Sequence, residues 1–225
     1  MLPGDIHVCI FDVNGVLIDS NAANAQAMSE AFTGDPRLQK RIAELYMTLT
    51  GIDRGAKIRI VQEKIIQRPF EEKEFELRWS RFTELGQTSM MNAPVMGGAP
   101  RILAELGRRK IRRAALSNTP LDVLHKILEA RELATHLDII RGGGDWPKAH
   151  SLVRLLRELG FNPRECLFFG DGKGDLAAAR HAGVPFVAID PGTGEFSGEQ
   201  GIQGPFHDLA AWGRHALALT TMNPS

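Results

Sequence analysis

Three aspartates, a serine and a lysine carry the chemistry this sequence can do, and the spacing puts each at the mouth of a loop. Asp12 directly follows the apolar run Ile6-His7-Val8-Cys9-Ile10-Phe11, with Asn14 and Gly15 just beyond it. Ser117-Asn118-Thr119 ends the run Ala114-Ala115-Leu116, Lys148 opens a helical pattern, and Gly170-Asp171-Gly172-Lys173-Gly174-Asp175 follows Cys166-Leu167-Phe168-Phe169. Asp12, Asp171 and Asp175 are hard oxygen donors of the kind Mg2+ takes together with waters and phosphate oxygens. A serine hydroxyl, backbone N–H groups and an ammonium suit the oxygens of a phosphate. Such a set places a carboxylate nucleophile against an anionic phosphate, with the metal and Lys148 offsetting the repulsion. Taken singly, the residues have plainer readings: Asp175 as a helix cap, Ser117 as a turn hydroxyl, Lys148 as a solvated helix lysine. Asp12 is harder to dismiss, because a carboxylate at the end of a buried strand is costly without a partner.

The elements that must position these residues alternate. Short apolar runs at 6–11, 114–116, 138–140, 166–169 and 185–189 read as buried parallel strands, and helical patterns at about 99–109, 121–131, 148–159 and 174–182 lie between them. Strands alternating with helices predict right-handed crossovers and an α/β fold with a Rossmann-like, doubly wound parallel sheet. Sites in such sheets lie beyond the carboxyl ends of the strands, where the residues named above fall. Residues 21–93 break the alternation. Leu38, Ile42, Leu45 and Leu49, then Ile58, Ile60, Val61, Ile65 and Ile66, keep helical spacing without a strand-like run. They read as an all-helical insert, 21–93, hinged near Ser20 and near Asn92-Ala93-Pro94, in a core formed by 1–20 and 94–225. The Gly-rich stretch 191–204 reads as a surface loop. Residues 207–219 read as a closing helix with Leu209, Trp212, Ala216 and Leu219 facing inward.

Composition narrows the function classes. Of 225 residues, 43% are hydrophobic, enough for a packed core, and 27 basic residues balance 27 acidic ones. That balance offers no basic field for phosphate backbones, so nucleic acid is not an expected partner. No basic segment followed by an apolar stretch opens the chain, and no window approaches the roughly 18 apolar residues of a membrane span. A soluble, cytoplasmic protein is expected, with no membrane partner. Cys9 and Cys166, both in apolar runs, read as reduced core thiols.

The phrases "FDVNGVLIDS", "ALSNTP", Lys148 and "FFGDGKGDLAAARHAGV", in this order over nearly the whole chain, resemble the four motifs of the haloacid dehalogenase superfamily of aspartate-nucleophile hydrolases. "APVMGGAPRILAELGRR" is similar to the phrase by which such chains re-enter the core after a helical C1-type cap. The resemblance implies a phosphatase or phosphoglucomutase-like member acting on a small phosphorylated metabolite. It implies Asp12 as nucleophile, and Ser117, Asn118 and Lys148 as phosphate-binding residues. It implies a Mg2+ site of Asp12, Asp171, Asp175 and the Asn14 backbone carbonyl, with Asp175 a direct ligand or one step removed. Leu49-Thr50-Gly51-Ile52-Asp53-Arg54 resembles the cap loop that reaches over the site, which gives Arg54 the distal part of an anionic substrate.

Asn14 departs from the pattern. The family's phosphatases have an aspartate there, which protonates the leaving oxygen and then deprotonates the attacking water; an amide does neither. Four readings stand open. The chain is a phosphatase using an activated leaving group or another proton donor, such as His7, Asp53 or Lys57. Or Asn14 replaces an aspartate by engineering, to trap a bound state. Or the chain is a 2-haloacid dehalogenase, whose halide leaves without a proton but whose chemistry gives Asp171 and Asp175 no metal to hold. Or it binds a phosphorylated ligand without turning it over. A phosphonate-cleaving variant, with Lys57 as a Schiff-base lysine, is a further possibility within the superfamily.

Overall fold

The computed structural model describes residues 5–49, 54–69, 71–143 and 147–219. Its first strand, β1 (Val8–Phe11), is fully buried along its whole length. Burial on both faces is what gives a parallel strand a continuous apolar run in place of an alternation. β1 pairs in parallel with β2 (Arg112–Pro120) on one side and β4 (Cys166–Gly170) on the other, Phe11 lying opposite Ala115 and Phe169. With β3 (Ile139–Gly143), β5 (Phe186–Ile189) and β6 (Gln203–Phe206) the sheet runs β3-β2-β1-β4-β5-β6, every pair parallel. The strand order turns back between β1 and β4. In doubly wound sheets that crevice is where ligands bind.

The crossover helices are α5 (Ala99–Arg108), α6 (Leu121–Ala130), α7 (Lys148–Leu159) and α8 (Lys173–Ala182), and α9 (Leu209–Ala216) closes the chain. On one face Ile10, Phe168 and Phe186 pack with Leu152, Leu155 and Leu156 of α7 and with Leu176 and Ala179 of α8. Alternation sends their neighbours to the other face. There Phe11 stacks on Phe169 at 4.6 Å, and Trp212 of α9 meets Phe169 edge-on at 4.7 Å. Cys9 and Cys166 are buried free thiols, and burial pushes the Cys166 thiol up to about 12.

Two elements differ from the sequence reading. β2 runs on through Ser117, Asn118 and Thr119 to Pro120, so these residues are strand and not loop. Residues 203–206, half of them assigned to the surface loop, form β6. Its sequence, Gln-Gly-Pro-Phe, has neither apolar run nor alternation. It lies at the sheet edge, where a proline without an N–H is tolerated.

The contacts divide the chain into two compact units, Met1–Ile18 with Val95–Ser225, and Asp19–Pro94. Among its described residues the second unit holds only helices and turns: α1 (Asn21–Phe32), α2 (Pro36–Thr48), α3 (Arg54–Val61) running into a π-turn at Gln62–Ile66, and α4 (Glu72–Asn92). Asp35 starts α2, its Oδ1 accepting the Arg37 N–H at 2.9 Å, with Pro36 in the first helical position. Met28, Phe32, Ile42, Tyr46, Ile58, Val61 and Phe82 form this unit's own core. No helix among the described residues is long and apolar enough to cross a membrane.

Candidate active site

Asp12 is the first residue past β1, and its N–H donates to Phe169 O at 2.9 Å, which ties the start of the loop to β4. The loop then closes tightly. Leu17 and Ile18 both donate to Val13 O, Gly15 N donates to Ile18 O at 2.8 Å, and Asn14 bridges to Ile18. Gly15 is needed here for two reasons. Its φ is +77°, and a Cβ on it would collide with the Asp171 carboxylate. The loop after β1 and the loop after β4 are thus packed backbone against side chain.

Lys148 opens α7 directly after Pro147, and its Nζ lies 2.8 Å from Asp12 Oδ1 and 2.5 Å from Asp175 Oδ1. The side chains of Asp12 and Asp175 are buried, and that of Lys148 is nearly so, at 12% exposure. Asp12 Oδ1 also accepts the Val13 N–H at 2.8 Å, and Asp175 Oδ2 accepts the Gly172 N–H at 3.3 Å. Burial pushes the Asp12 carboxyl up to about 6; the Lys148 ammonium works against that, while Asp175 adds to it. The same burial works against the Lys148 charge, but its two carboxylate partners prevail and hold the ammonium above the usual lysine range. An ammonium between two buried carboxylates offsets part of the cost of taking them out of water.

Asp12, Asp171 and Asp175 each offer an oxygen within 4.8 Å of the others. This donor set fits a hard divalent cation such as Mg2+. Asp175 has one oxygen on Lys148 and the other on the Gly172 N–H.

Ser117 ends up on β2, the strand beside β1, and is buried. Its Oγ accepts the Thr119 N–H and donates to Thr119 Oγ1, both at 3.1 Å. Thr119, which sequence reasoning passes over, is buried and fixes this hydroxyl; a second hydroxyl two residues along a strand was the available signal. Asn118 points to the exposed side between them.

The structure brings Asp12, Lys148, Asp171 and Asp175 into one cluster, with Ser117 on the neighbouring strand end. His7 precedes β1, at the opposite end from Asp12, with its ring stacked on Phe161 at 5.7 Å. Four strand residues span about 13 Å, which removes His7 as a proton donor to this site. Arg54 begins α3 in the helical unit, its guanidinium 5.0 Å from the Phe82 ring centre and 5.9 Å from that of Trp79. Burial lowers its pKa. Lys57 Nζ lies 4.1 Å from the Tyr46 ring centre. Thr50, Gly51, Ile52 and Asp53, the rest of the expected cap loop and one proposed proton donor, lie outside the described residues.

Comparison with known proteins agrees with this architecture. The phosphoglycolate phosphatase of Escherichia coli (strain K12) is 26% identical over 211 residues, spanning 84% of this chain and 82% of its own. That of Aquifex aeolicus (strain VF5) is 26% identical over 183 residues, spanning 80% and 82%. The crystal structure of CbbY from Rhodobacter sphaeroides in complex with phosphate superposes with a TM-score of 0.71, covering 95% of this chain and all of that one. At 22% identity, that likeness speaks for the fold alone. The family model of the haloacid dehalogenase-like hydrolases matches residues 6–183, from the strand that delivers Asp12 to the glycine that ends α8. The chain belongs to that family and is a hydrolase.

Proposed function

We propose that this hydrolase is a Mg2+-dependent phosphatase that acts on a small phosphorylated metabolite by way of a phosphoryl group carried on Asp12. The observation that carries the reading is the buried ammonium of Lys148 between Asp12 and Asp175, with Asp171 beside them. The name shared by the curated relatives makes phosphoglycolate the first substrate to test.

Asp12 acts from its second oxygen. Oδ1 is held by Lys148 and the Val13 N–H, so attack on phosphorus falls to Oδ2. A P–O bond to Asp12 forms as the bond to the leaving alkoxide breaks, and water later cleaves the aspartyl-phosphate at phosphorus, returning the carboxylate and releasing phosphate. Ser117 needs one bond rotation to turn its proton from Thr119 Oγ1 to a phosphoryl oxygen. The Asn118 N–H and the Lys148 ammonium are further donors to the phosphate. Asp12, Asp171 and the Asn14 carbonyl would hold Mg2+, which when bound supplies Lewis-acid stabilisation of charge developing on the phosphoryl oxygens. The resemblance gives Arg54 the distal, anionic part of the substrate.

Asn14 divides the two half-reactions. Attack with a good leaving group needs little protonation, whereas hydrolysis of the acyl-phosphate needs a base for water, and the amide provides none. General acid–base help is worth about 10²–10⁴ in rate. With nitrophenyl phosphate and Mg2+, the chain should release about one nitrophenolate per site in a burst and then turn over slowly. Asn14→Asp should abolish the burst and raise the steady rate by about 10²–10⁴. Absence of a burst, with no gain from Asn14→Asp, would overturn the reading. Asn14 itself favours one alternative, a binder of phosphorylated ligands without turnover, and tight phosphate binding with no burst in either form would establish that instead.

A further inference from the structure

Residues 191–204 have a loop's composition, yet 190–200 is fastened along α8 from one end of the helix to the other. Asp190, the residue after β5, turns the chain back: its Oδ1 accepts the Gly192 N–H at 2.9 Å, the Thr193 N–H at 2.6 Å and the Thr193 hydroxyl at 2.9 Å, and its Oδ2 accepts the Gly194 N–H at 3.0 Å. Glu195 Oε1 then accepts the N–H of Lys173, the first residue of α8, at 3.1 Å. Phe196, next in sequence, is only 3% exposed, with its ring 5.7 Å from that of Phe186. At the other end of the helix Arg180 donates to Glu199 at 2.9 Å and to Gln200 O at 3.1 Å.

The first N–H groups of a helix have no partner within it, and a carboxylate there also meets the positive end of the helix dipole. At α8 the Gly172 N–H goes to Asp175, and that of Lys173 goes to Glu195. Lys173 stands two residues after Asp171 and two before Asp175. Gly170, Gly172 and Gly174 leave this stretch little stiffness of its own, since glycine loses most conformational freedom on ordering. The buried Phe196 fixes the neighbouring Glu195 from the core side.

We propose that Glu195 is a positioning residue: by holding the Lys173 amide it sets where Asp171 and Asp175 stand, and the 190–200 segment is the brace that carries it. Groups hydrogen-bonded to a metal's ligands typically govern about 10–100-fold in affinity; Glu195 acts one bond further out, through the Lys173 amide, and its effect falls at or below the lower end of that range. The affinity half of the proposal rests on the Mg2+ reading above; the structural half does not.

The experiment uses the full chain and three variants, Glu195→Ala, Glu195→Gln and Glu199→Ala. It reads amide hydrogen exchange over 172–175 without metal, and Mg2+ affinity by calorimetry. Glu195→Ala should speed exchange at 172–175 by about tenfold or more and weaken Mg2+ binding by several-fold to about tenfold. Glu195→Gln keeps an acceptor and should restore most of both. Glu199→Ala, which frees only the far end of the helix, should change neither. Unchanged exchange in Glu195→Ala overturns the proposal, as does faster exchange with unchanged Mg2+ affinity, or an equal effect from Glu199→Ala. A parent chain that binds no Mg2+ overturns the metal reading, and Glu195 is then judged on exchange alone.

Discussion

Replacing Lys148 by methionine keeps most of the apolar stem and removes the charge that stands between Asp12 and Asp175. The carboxylate oxygens left behind lie within 4.8 Å of one another, and two unit charges at that separation repel by about 3–4 kcal/mol at an effective dielectric of ~20. The site can escape by taking up a proton on Asp12, whose carboxyl is already pushed up to about 6 by burial, at a cost of about 1–1.5 kcal/mol at pH 7. That cheaper route caps the repulsion, and the lost Lys148 pairing and hydrogen bonds supply the rest of the roughly 3–5 kcal/mol expected when a buried ion pair is broken from one side. At pH 5 the Asp12 proton is taken up without cost, so the deficit should shrink. The sign follows from linkage: the variant's carboxyls titrate higher folded than unfolded, the folded state binds the extra proton, and stability returns as pH falls. Urea unfolding in the presence of a chelator, followed by circular dichroism at pH 7 and pH 5, measures both values. Asp12→Asn is the counterpart: it leaves the Lys148–Asp175 pair intact and removes a like-charge repulsion, so it should be as stable as the parent or more so. A Lys148→Met chain within about 1 kcal/mol of the parent at pH 7, well short of the loss expected for a broken buried pair, or a deficit that grows at pH 5, would refute the account of how these charges balance.

Three further outcomes follow from the same geometry. Asp171→Asn removes an anionic donor and should weaken Mg2+ binding by tenfold or more, on the order of the effects seen at metal sites; calorimetry reads it directly. Arg54→Ala should raise KM for a phosphorylated substrate more than it lowers stability, the packing lost on Phe82 and Trp79 being worth about 1 kcal/mol; a lowered stability with KM unchanged would make Arg54 a packing residue of the helical unit. Burial works to raise the Asp190 carboxyl, but the donors from Thr193, Gly192 and Gly194 outweigh it and hold the group below the ordinary carboxylate range. Its contribution is therefore fully present above the unfolded value and is lost as pH falls through the folded one. Asp190→Asn should cost about 1–2 kcal/mol at neutral pH, a difference that fades in acid unfolding scans below about pH 4.

What the sequence discloses follows from what each residue does locally. β1 and β4 are readable because strands buried on both faces are apolar throughout, and Asp12 is readable because a carboxylate just past such a strand demands a partner, whereas Asp171 is marked by the acidic, Gly-rich phrase that follows β4. Lys148 is different. By local pattern it is a solvated residue at the start of a helix, and only the order of the motifs marks it; its burial comes from the approach of α7 to the crevice between β1 and β4, a tertiary fact. β6 stays hidden because an edge strand needs no apolar pattern. Asp190 and Glu195 stay hidden because their partners are backbone N–H groups, which every residue but proline offers and no composition betrays.

The way the chain leaves and re-enters the core has a consequence for modularity. Ile18 bridges Val95 antiparallel, Met96 N–H donates to Leu17 O at 2.9 Å, and Asp19 N–H donates to Pro94 O at 2.8 Å. Seen from the sheet, the whole segment 19–94 is therefore the loop of a hairpin whose two stems are already zipped together. The entropy of closing a loop rises only slowly with its length, by about 0.6 kcal/mol per doubling, so the core is nearly indifferent to how many residues the hairpin holds. Trimmed to a short turn between Ile18 and Val95, the chain should still fold its six-stranded sheet and present Asp12, Lys148, Asp171 and Asp175 as before. This stem is a splice point at which nature or a designer can exchange one helical module for another without renegotiating the fold of the sheet.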